Sequence, residues 1–460
     1  MIQKLKLSNF KAWEKLEIQF GMVTGLFGTN SSGKSSLIHF LLMLKQSKDN
    51  SDRAIAADFG GHDKLVELGT YHDVVFKHDT TKDISWTLSW DLPKELRTQD
   101  VEKSSASVLF KASSLEVSSS IGLEDKLLGV KSLGYGFADH QFSIQRKPDS
   151  KDFDLVAKGS SKFRFTRTQG RMWKLPKPTK NYLFPDQAKT YYQNADFLSQ
   201  FEASFEAAMD NIYYLGPLRD YPKRTYQWSG TSPTDVGIRG ELTISAILAA
   251  STRNEKRSLG YKKRSKTFEE MIAHWLKVLG LIHSFRVEEV ASNSNIFRTL
   301  VKKEAGSSEV GLTDVGFGVS QILPVLVLLY YVPEGSAVLL EQPEIHLHPS
   351  VQSELADLIL TVSKTRNVQV IVESHSEHFI RRLQRRVAES SAEQNDIALY
   401  FFSTKQGRAN YEILQLDEFG SIHNWPENFF GDEMAEIAAT RKAALLKKRK
   451  AMQDTENGCE

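Results

Sequence analysis

The first residues with recognisable chemistry form a glycine- and serine-rich loop near the N-terminus. Gly28 is followed five positions later by Gly33, Lys34 and Ser35, which matches the P-loop pattern at every fixed position. Glycines let backbone N–H groups turn towards phosphate oxygens, a lysine adds positive charge for the β- and γ-phosphates, and the serine hydroxyl is a ligand for Mg²⁺. The nucleotide-contacting residues are therefore predicted to be Gly28, Thr29, Asn30, Ser31, Ser32, Gly33, Lys34, Ser35 and Ser36.

A second group of chemically capable residues lies far along the chain. Residues 337–341 form an apolar run ending in Glu341, which is how a P-loop protein presents its second Mg²⁺ contact. Another apolar run, 370–373, ends just before Ser-His-Ser. The small-residue turn at 314–321 opens a helix and offers a second nest of backbone amides for an anion. Because these groups and the P-loop are distant in sequence, we expect the site to be assembled from both ends of the chain.

The surrounding pattern predicts the elements that position these residues. An apolar run at 22–27 leads into the P-loop, and 36–44 is long enough for a helix. Between 312 and 404 apolar strands alternate with helices, which indicates a parallel sheet buried on both faces. Residues 83–167 alternate like antiparallel strands. We divide the chain into an N-terminal lobe (1–75), a β-rich subdomain (76–210), a helical insertion (211–311), a C-terminal lobe (312–410) and an extension (411–460).

Composition limits the class of protein. The 460 residues carry 59 basic and 57 acidic side chains, a formal charge of +2, so any nucleic-acid surface must be local. The apolar runs are too short for a membrane helix, and no signal peptide is recognised, so we expect a cytoplasmic protein without membrane contact. The single cysteine, Cys459, excludes a disulfide framework.

Taken together, the motifs resemble those of ABC-type ATPases of the SMC, RecF and OLD group. Such proteins open with a strand and Asn-Phe-Lys (9–11), and carry Asn-x-Ser-Gly-Lys-Ser (30–35), Glu-x-Pro-Glu-x-x-Leu-His-Pro (341–349) and Ser-His-Ser (374–376) in that order. The resemblance covers about 1–75 and 312–404. A narrower resemblance, to stand-alone ATPase subunits of Septu-like antiphage systems, rests on Tyr-Leu-Gly-Pro-Leu-Arg (214–219) and Asn-Trp-Pro (424–426).

The resemblance implies an α/β ABC-type P-loop ATPase head with a mixed sheet, a β-rich subdomain and a helical insertion. It implies ATP and Mg²⁺ as ligands, with the signature turn of one copy touching the ATP of another, so that the protein forms a homodimer or larger assembly. The implied roles are Asn9 and Lys11 near base and phosphates, Lys34 and Ser35 on nucleotide and Mg²⁺, Glu341 as Walker B carboxylate, 348–349 as D-loop, His375 as switch histidine, and Gly318 and Ser320 in the signature turn.

One position departs from the family pattern. Gln342 follows the Walker B carboxylate, where most ABC ATPases have the glutamate that activates the attacking water. An amide does not accept a proton at neutral pH, and a general base contributes roughly 10²–10⁴-fold in rate. Three outcomes stay open: slow hydrolysis with ATP as a clamp, Glu344 acting instead, or Glu341 serving both roles.

Other residues invite different hypotheses. Histidines 346, 348, 375 and 378 with glutamates 341, 344 and 373 resemble a zinc ligand set, and the basic run 253–266 is typical of either a nucleic-acid patch or a solvated loop. The arginines at 381, 382, 385 and 386 share one helix face, and Arg219 either reaches the site or forms a structural ion pair.

Three functions remain in view at this point. The first is an ATPase that regulates a partner effector, such as a nuclease on a separate chain, in antiphage defence. The second is a RecF-like ATPase that acts directly on DNA. The third is a scaffold that binds ATP without hydrolysing it.

Overall fold

A computed structural model shows the fold. It describes residues 1–61, 64–99, 108–146, 152–159, 163–170, 173–258, 264–405, 407–426, 439–445 and 447. The strands are β1 (Ile2–Phe10), β2 (Trp13–Gln19), β3 (Val23–Gly28), β4 (Ile84–Gln99), β5 (Val108–Glu124), β6 (Leu127–Phe137), β7 (His140–Arg146), β8 (Phe153–Lys158), β9 (Ile212–Leu215), β10 (Tyr226–Gln227), β11 (Lys256–Arg257), β12 (Lys266–Thr267), β13 (Ser284–Glu289), β14 (Ile296–Lys302), β15 (Val310–Gly311), β16 (Ala337–Glu341), β17 (Gln369–Glu373), β18 (Ile397–Lys405) and β19 (Arg408–Ile413). The helices are α1 (Lys34–Asp49), α2 (Tyr71–Val74), α3 (Gln187–Tyr191), α4 (Leu198–Asp210), α5 (Thr243–Thr252), α6 (Phe268–Val278), α7 (Phe317–Tyr331), α8 (Pro349–Arg366) and α9 (Glu377–Ala388).

The central sheet has the strand order β19-β18-β3-β17-β16-β9. Its strands pair in parallel except for β19, which is antiparallel to β18. Strands β16 and β17 are buried at every position, as expected for apolar strands covered on both faces. The predicted mixed sheet is confirmed. Since β3 pairs with β17 and β18, the two ends of the chain meet in this sheet.

The second large sheet is antiparallel, in the order β2-β1-β4-β5-β6-β7-β8. Much of β5 alternates between buried and more exposed positions, as a strand with one covered face should. Within the described residues, the antiparallel strands predicted for 83–167 are confirmed as β4 to β8, which lie between 84 and 158. The sheet also includes β1 and β2 from the N-terminal lobe, and the turn between these two strands lies next to the P-loop.

Helix α1 lies between the two sheets. The ring of Phe40 on this helix makes edge contacts with Phe10, at 5.2 Å between centroids, and with Trp86, at 5.5 Å. The opposite face of the central sheet is covered by α7, α8 and α9, whose apolar residues share one buried cluster with Val338, Leu340, Val370 and Val372. The predicted helices at 36–44, 321–331, 351–363 and 377–388 are confirmed within α1, α7, α8 and α9.

The segment 211–311 holds more strand than its sequence predicts. Helices α5 and α6 are present, and α6 begins with a capping box in which Thr267 and Glu270 satisfy each other's backbone N–H groups. However, β10, β13, β14 and β15 form a small antiparallel sheet, and β9 joins the central sheet. The alternation in β14, where Phe297, Thr299 and Val301 are buried, was the signal for these strands.

Some predictions fall outside the described residues. Lys262 and Lys263 of the basic run and Cys459 are not among them, and only 439–445 and 447 of the C-terminal helix predicted at 432–452 are described. Among the helices that the structure describes, none combines the length and apolarity needed to cross a membrane.

Candidate nucleotide site

The P-loop runs from the end of β3 to the start of α1. Gly28 has φ +132°, and a Cβ there would lie 1.9 Å from the carbonyl oxygen of Phe402. Gly33 has φ +93°, and a Cβ there would lie 2.8 Å from Nε1 of Trp13, which donates a hydrogen bond to the Gly33 carbonyl at 3.1 Å. Both positions therefore require glycine, and the following helix aims its N-terminal N–H groups at the space enclosed by the loop.

Lys34 is held inside this loop. Its Nζ donates to the carbonyl oxygens of Gly28, at 3.1 Å, and Thr29, at 2.8 Å, and lies 4.0 Å from Oε1 of Glu373. Burial lowers the pKa of Lys34, while Glu373 and Glu344 act in the opposite direction. Among the described residues, the ammonium group thus has only neutral carbonyls within hydrogen-bonding distance, and phosphate oxygens would bind it more strongly.

The parallel sheet brings two carboxylates to this loop. Glu341 and Glu373 end β16 and β17 and occupy paired register positions. Because β17 lies between β3 and β16, Glu373 and not Glu341 is on the strand next to the P-loop. The sequence pattern placed Glu373 in the zinc hypothesis but not in the predicted nucleotide site, although Glu373 ends an apolar buried strand just as Glu341 does.

The side chain of Glu341 is buried next to a tyrosine hydroxyl and a histidine ring. Its Oε1 accepts a hydrogen bond from the Tyr214 hydroxyl at 2.9 Å and lies 3.4 Å from Nε2 of His39 on α1. Lys11 is also close: burial lowers the pKa of Lys11 and the charge of Glu341 opposes that shift. Glu341 therefore lies beside α1 and the β1–β2 turn, as an assembled site requires.

Asn9 and Lys11 shape that turn. Both have positive φ, at 58° and 50°, and the Asn9 side chain donates to the Asp83 carbonyl at 2.9 Å. The amide is thereby held by the antiparallel sheet. That Asn9 contacts the base of a nucleotide stays a prediction.

Burial perturbs the second strand-end carboxylate strongly. The pKa of Glu373 is raised to about 6, chiefly by burial. The charge of Glu341 acts in the same direction, whereas a side-chain hydrogen bond with Ser35 and the charges of Lys34 and His39 act against it. Oε2 of Glu373 is buried without a hydrogen-bond partner among the described residues. A buried carboxylate oxygen of this kind favours a cationic ligand.

The loop after β16 contains Gln342, the residue that departs from the family pattern, and Glu344, one of the alternative general bases. Gln342 has φ +45°, and its N–H donates to the Glu373 carbonyl at 2.8 Å. Glu344 accepts from the His375 N–H at 2.6 Å through Oε1, while its Oε2 is buried without a partner among the described residues. Burial raises the pKa of Glu344, and the His375 amide and Arg219 lower it. Glu344 thus fixes the loop that carries His375.

His375 lies at the surface of the site, where its side chain is accessible to solvent but partly covered. Partial burial lowers the pKa of its imidazole, and the charge of Lys34 lowers it further. A neutral imidazole beside a positively charged lysine is suited to accept or share a proton near phosphate. Its function as the switch histidine stays a prediction.

Arg219 is a site residue that the sequence left undecided. Its Nη2 lies 3.5 Å from the backbone oxygen of Glu341, and its Nε and Nη1 are inaccessible to solvent and have no hydrogen-bond partner among the described residues. Burial lowers the pKa of Arg219 to about 10, against the charges of Tyr214, Glu341 and Glu344. The guanidinium group of Arg219 therefore lies against the end of β16, where Glu341 is located.

The proposed signature turn lies at the N-terminus of α7. The helix begins at Phe317 after Gly316, and Gly318 follows with a backbone close to His346. The hydroxyl of Ser320 donates to the Phe317 carbonyl at 2.8 Å, and the residue is buried. The exposed residues of this turn are Asp314, Gly316 and Phe317. A contact of Ser320 with a second copy stays a prediction.

The zinc hypothesis has no geometric support. Among the described residues, no group of three or more His, Cys, Asp or Glu side chains is arranged to hold a metal ion. The residues do fit Mg²⁺ bound with a nucleotide, because Mg²⁺ is usually held by one or two carboxylates and by substrate phosphates. Ser35 and Glu341 are the predicted ligands. Glu373, whose Oε2 has no hydrogen-bond partner among the described residues, is paired in register with Glu341.

Arginines of both basic regions form ion pairs with neighbouring acidic side chains. Arg382 and Arg386 bind Asp357, at 2.5 Å in each case, so the arginine face of α9 is tied to α8. In the basic run, Arg253 and Arg257 both pair with Glu255. Nucleic-acid binding by 253–266 stays a prediction.

Comparison with protein families agrees with the P-loop geometry. A family model described as "AAA ATPase domain" matches residues 1–204 and 242–380. The chain belongs to the AAA ATPase domain family. A model described as "Protein of unknown function (DUF3696)" matches residues 393–439 of this ATPase. Family membership supports ATP binding and ATPase activity, and the segment with Tyr214 and Arg219 lies outside the matched ranges.

Solved structures of SMC heads resemble this ATPase. An SMC head bound to the C-terminal winged-helix domain of ScpA is 14% identical, covers 91% of this chain and 98% of its own, and has a TM-score of 0.43. The SMC head domain of Thermotoga maritima is 11% identical, with coverages of 90% and 99% and a TM-score of 0.39. The Smc head of Pyrococcus furiosus, with an extended coiled coil and the C-terminal domain of ScpA, is 13% identical, with coverages of 90% and 96% and a TM-score of 0.43. No curated protein matches the chain.

Proposed function

We propose that this ATPase binds Mg²⁺-ATP between two copies of itself and uses the closed assembly to control a separate effector chain. In this proposal the P-loop and Lys34 bind the phosphates, Ser35 and Glu341 hold Mg²⁺, and His375 contacts the γ-phosphate. Mg²⁺ supplies charge neutralisation for the phosphates during hydrolysis. Hydrolysis is slow because Gln342 occupies the position of the usual general base.

The observation that carries the assembly is an exposed apolar group beside the signature turn. Phe317 is 42% exposed and Tyr221 is 75% exposed, and their rings lie 5.7 Å apart. Phe317 also makes an edge contact with His346, at 5.2 Å, in the loop before the D-loop residues. Large exposed apolar side chains next to the N-terminus of a helix mark a surface suited to a protein partner.

In this proposal, a second copy of the chain binds to this surface. The phosphates in one P-loop provide the anion that the turn at 316–318 of the other copy attracts. ATP then shifts the population towards the closed dimer, because only the closed form gives the nucleotide both sets of contacts.

Measurement of the particle mass with and without Mg²⁺-ATP tests this assembly. We expect a species of twice the 52.0 kDa chain mass with ATP, and its loss in Phe317→Asp, because the aspartate places charge in the apolar contact. Ile413→Asp, at an exposed apolar residue on β19, is the matched control and should still dimerise. An unchanged wild-type mass on addition of ATP would contradict the proposal.

We assign the effector to antiphage defence, with a nuclease as its chemical class. The support is the narrower resemblance of 214–219 and 424–426 to ATPase subunits of such systems. Isolation of the native complex with and without ATP, followed by mass measurement, tests it. A nuclease released or retained according to ATP supports this role, whereas turnover stimulated by DNA alone indicates a RecF-like ATPase instead.

A further inference from the structure

The carboxylate that ends β17 has no role in the proposed function so far. Glu373 is 3% exposed, yet one of its carboxylate oxygens, Oε2, has no hydrogen-bond partner among the described residues. Its other oxygen, Oε1, lies 4.0 Å from the Lys34 ammonium, too far for a hydrogen bond. The Ser35 hydroxyl also interacts with this carboxylate. A buried carboxylate with one oxygen left unpartnered is still costly unless a ligand compensates it.

The sheet places Glu373 between the two predicted Mg²⁺ ligands. It is paired in register with Glu341 on one side, and β17 is hydrogen-bonded to the P-loop strand β3 on the other. The side chains of paired residues on adjacent parallel strands point to the same face. Two buried carboxylates therefore share one face at the point where α1 begins with Lys34 and Ser35.

Without a bound cation, the negative charges at this site are not balanced when a triphosphate is present. The Lys34 ammonium lies 4.0 Å from Glu373, and Nε2 of His39 lies 3.4 Å from Glu341. When a triphosphate enters the P-loop, its oxygens compete for the Lys34 ammonium, and Glu373 then faces both Glu341 and the phosphates. A hard divalent cation resolves that repulsion, because oxygen ligands from two carboxylates, a hydroxyl and phosphate match the preference of Mg²⁺.

We propose that Glu373 is a second carboxylate of the Mg²⁺ site, acting together with Ser35 and Glu341. This inference rests on the proposed binding of Mg²⁺-ATP. The competing explanation is that Glu373 serves only as the counter-ion that keeps Lys34 charged before nucleotide binds.

Binding of Mn²⁺ to the full-length chain, followed by electron paramagnetic resonance in the presence of a non-hydrolysable ATP analogue, tests the proposal without measuring turnover. We expect Glu373→Gln to weaken Mn²⁺ binding by at least about tenfold, since an anionic ligand is lost. Affinity for the analogue in EDTA should be unchanged or higher, because a negative charge near the phosphates has been removed. Glu202→Gln, at a buried glutamate on α4, is the matched control and should bind Mn²⁺ like the wild type.

The outcomes separate the two explanations. Mn²⁺ affinity that Glu373→Gln leaves unchanged overturns the proposal and assigns Glu373 to Lys34 alone. Glu373→Asp keeps the charge but shortens the side chain, and it serves as the second variant if the glutamine variant does not fold. An intermediate Mn²⁺ affinity of Glu373→Asp supports the proposal. A wild-type Mn²⁺ affinity of Glu373→Asp, together with a wild-type circular dichroism spectrum, counts against the proposal. A wild-type chain that binds the analogue neither with Mn²⁺ nor in EDTA overturns the proposed function itself.

Discussion

Replacing Lys34 with alanine is expected to lower the affinity for ATP by roughly 100-fold and to abolish measurable hydrolysis. Hydrogen bonds to charged groups contribute about 1.5–3 kcal/mol each, and 1.4 kcal/mol corresponds to a tenfold change in affinity. In the part of the chain that the structure describes, the ammonium group donates hydrogen bonds to carbonyls of its own loop and lies 4.0 Å from Glu373, so it is available to phosphate. Titration calorimetry with Mg²⁺-ATP measures the loss.

The control is Lys15→Ala, which removes an exposed lysine on β2 and should leave ATP affinity unchanged. Thermal unfolding of Lys34→Ala should be recorded beside it, because Lys34 is buried. Near-wild-type ATP affinity in a folded Lys34→Ala protein would show that the loop is not the phosphate site.

Replacing Gln342 with glutamate is expected to raise the rate of phosphate release by about 100-fold or more, the lower end of what a general base contributes. The change is close to isosteric, and Gln342 keeps its backbone hydrogen bond to Glu373, so the loop at φ +45° should be preserved. Phosphate release under Mg²⁺-ATP saturation is the measurement.

Glu344→Gln distinguishes the remaining hypotheses for the base. Because one oxygen of Glu344 is bound by the His375 N–H and the other is shielded from solvent, we expect this variant to retain slow hydrolysis. If Gln342→Glu is no faster and Glu344→Gln is inactive, Glu344 is the base and the slow-clamp hypothesis is wrong.

The sequence predicted the parts of this site that depend on local pattern. Gly28, Gly33 and Lys34 are recognisable because a phosphate loop requires those residue types at that spacing, and the structure gives both glycines positive φ. The apolar runs before Glu341 and after 367 predicted β16 and β17 for the same reason. These strands need no partner residue to be recognised.

The parts that sequence missed depend on strand order and packing. Glu373 is adjacent to the P-loop because β17 lies between β3 and β16, and no local pattern determines that order. Likewise, the hydrogen bond from Tyr214 to Glu341 requires β9 to lie at the edge of the sheet beside β16. The Ser320 hydroxyl donates to the Phe317 carbonyl because α7 begins at Phe317. The sequence pattern predicted a helix here but not its first residue.

Hydrogen–deuterium exchange of the full chain with and without Mg²⁺-ATP most directly tests the claim that distant parts of the chain form one nucleotide site. We expect slower exchange in peptides containing the P-loop and, in the same experiment, in peptides containing Gln342 and His375, whose backbone amides bond Glu373 and Glu344. Protection confined to the P-loop peptides, or no protection at all, would contradict the assembled site.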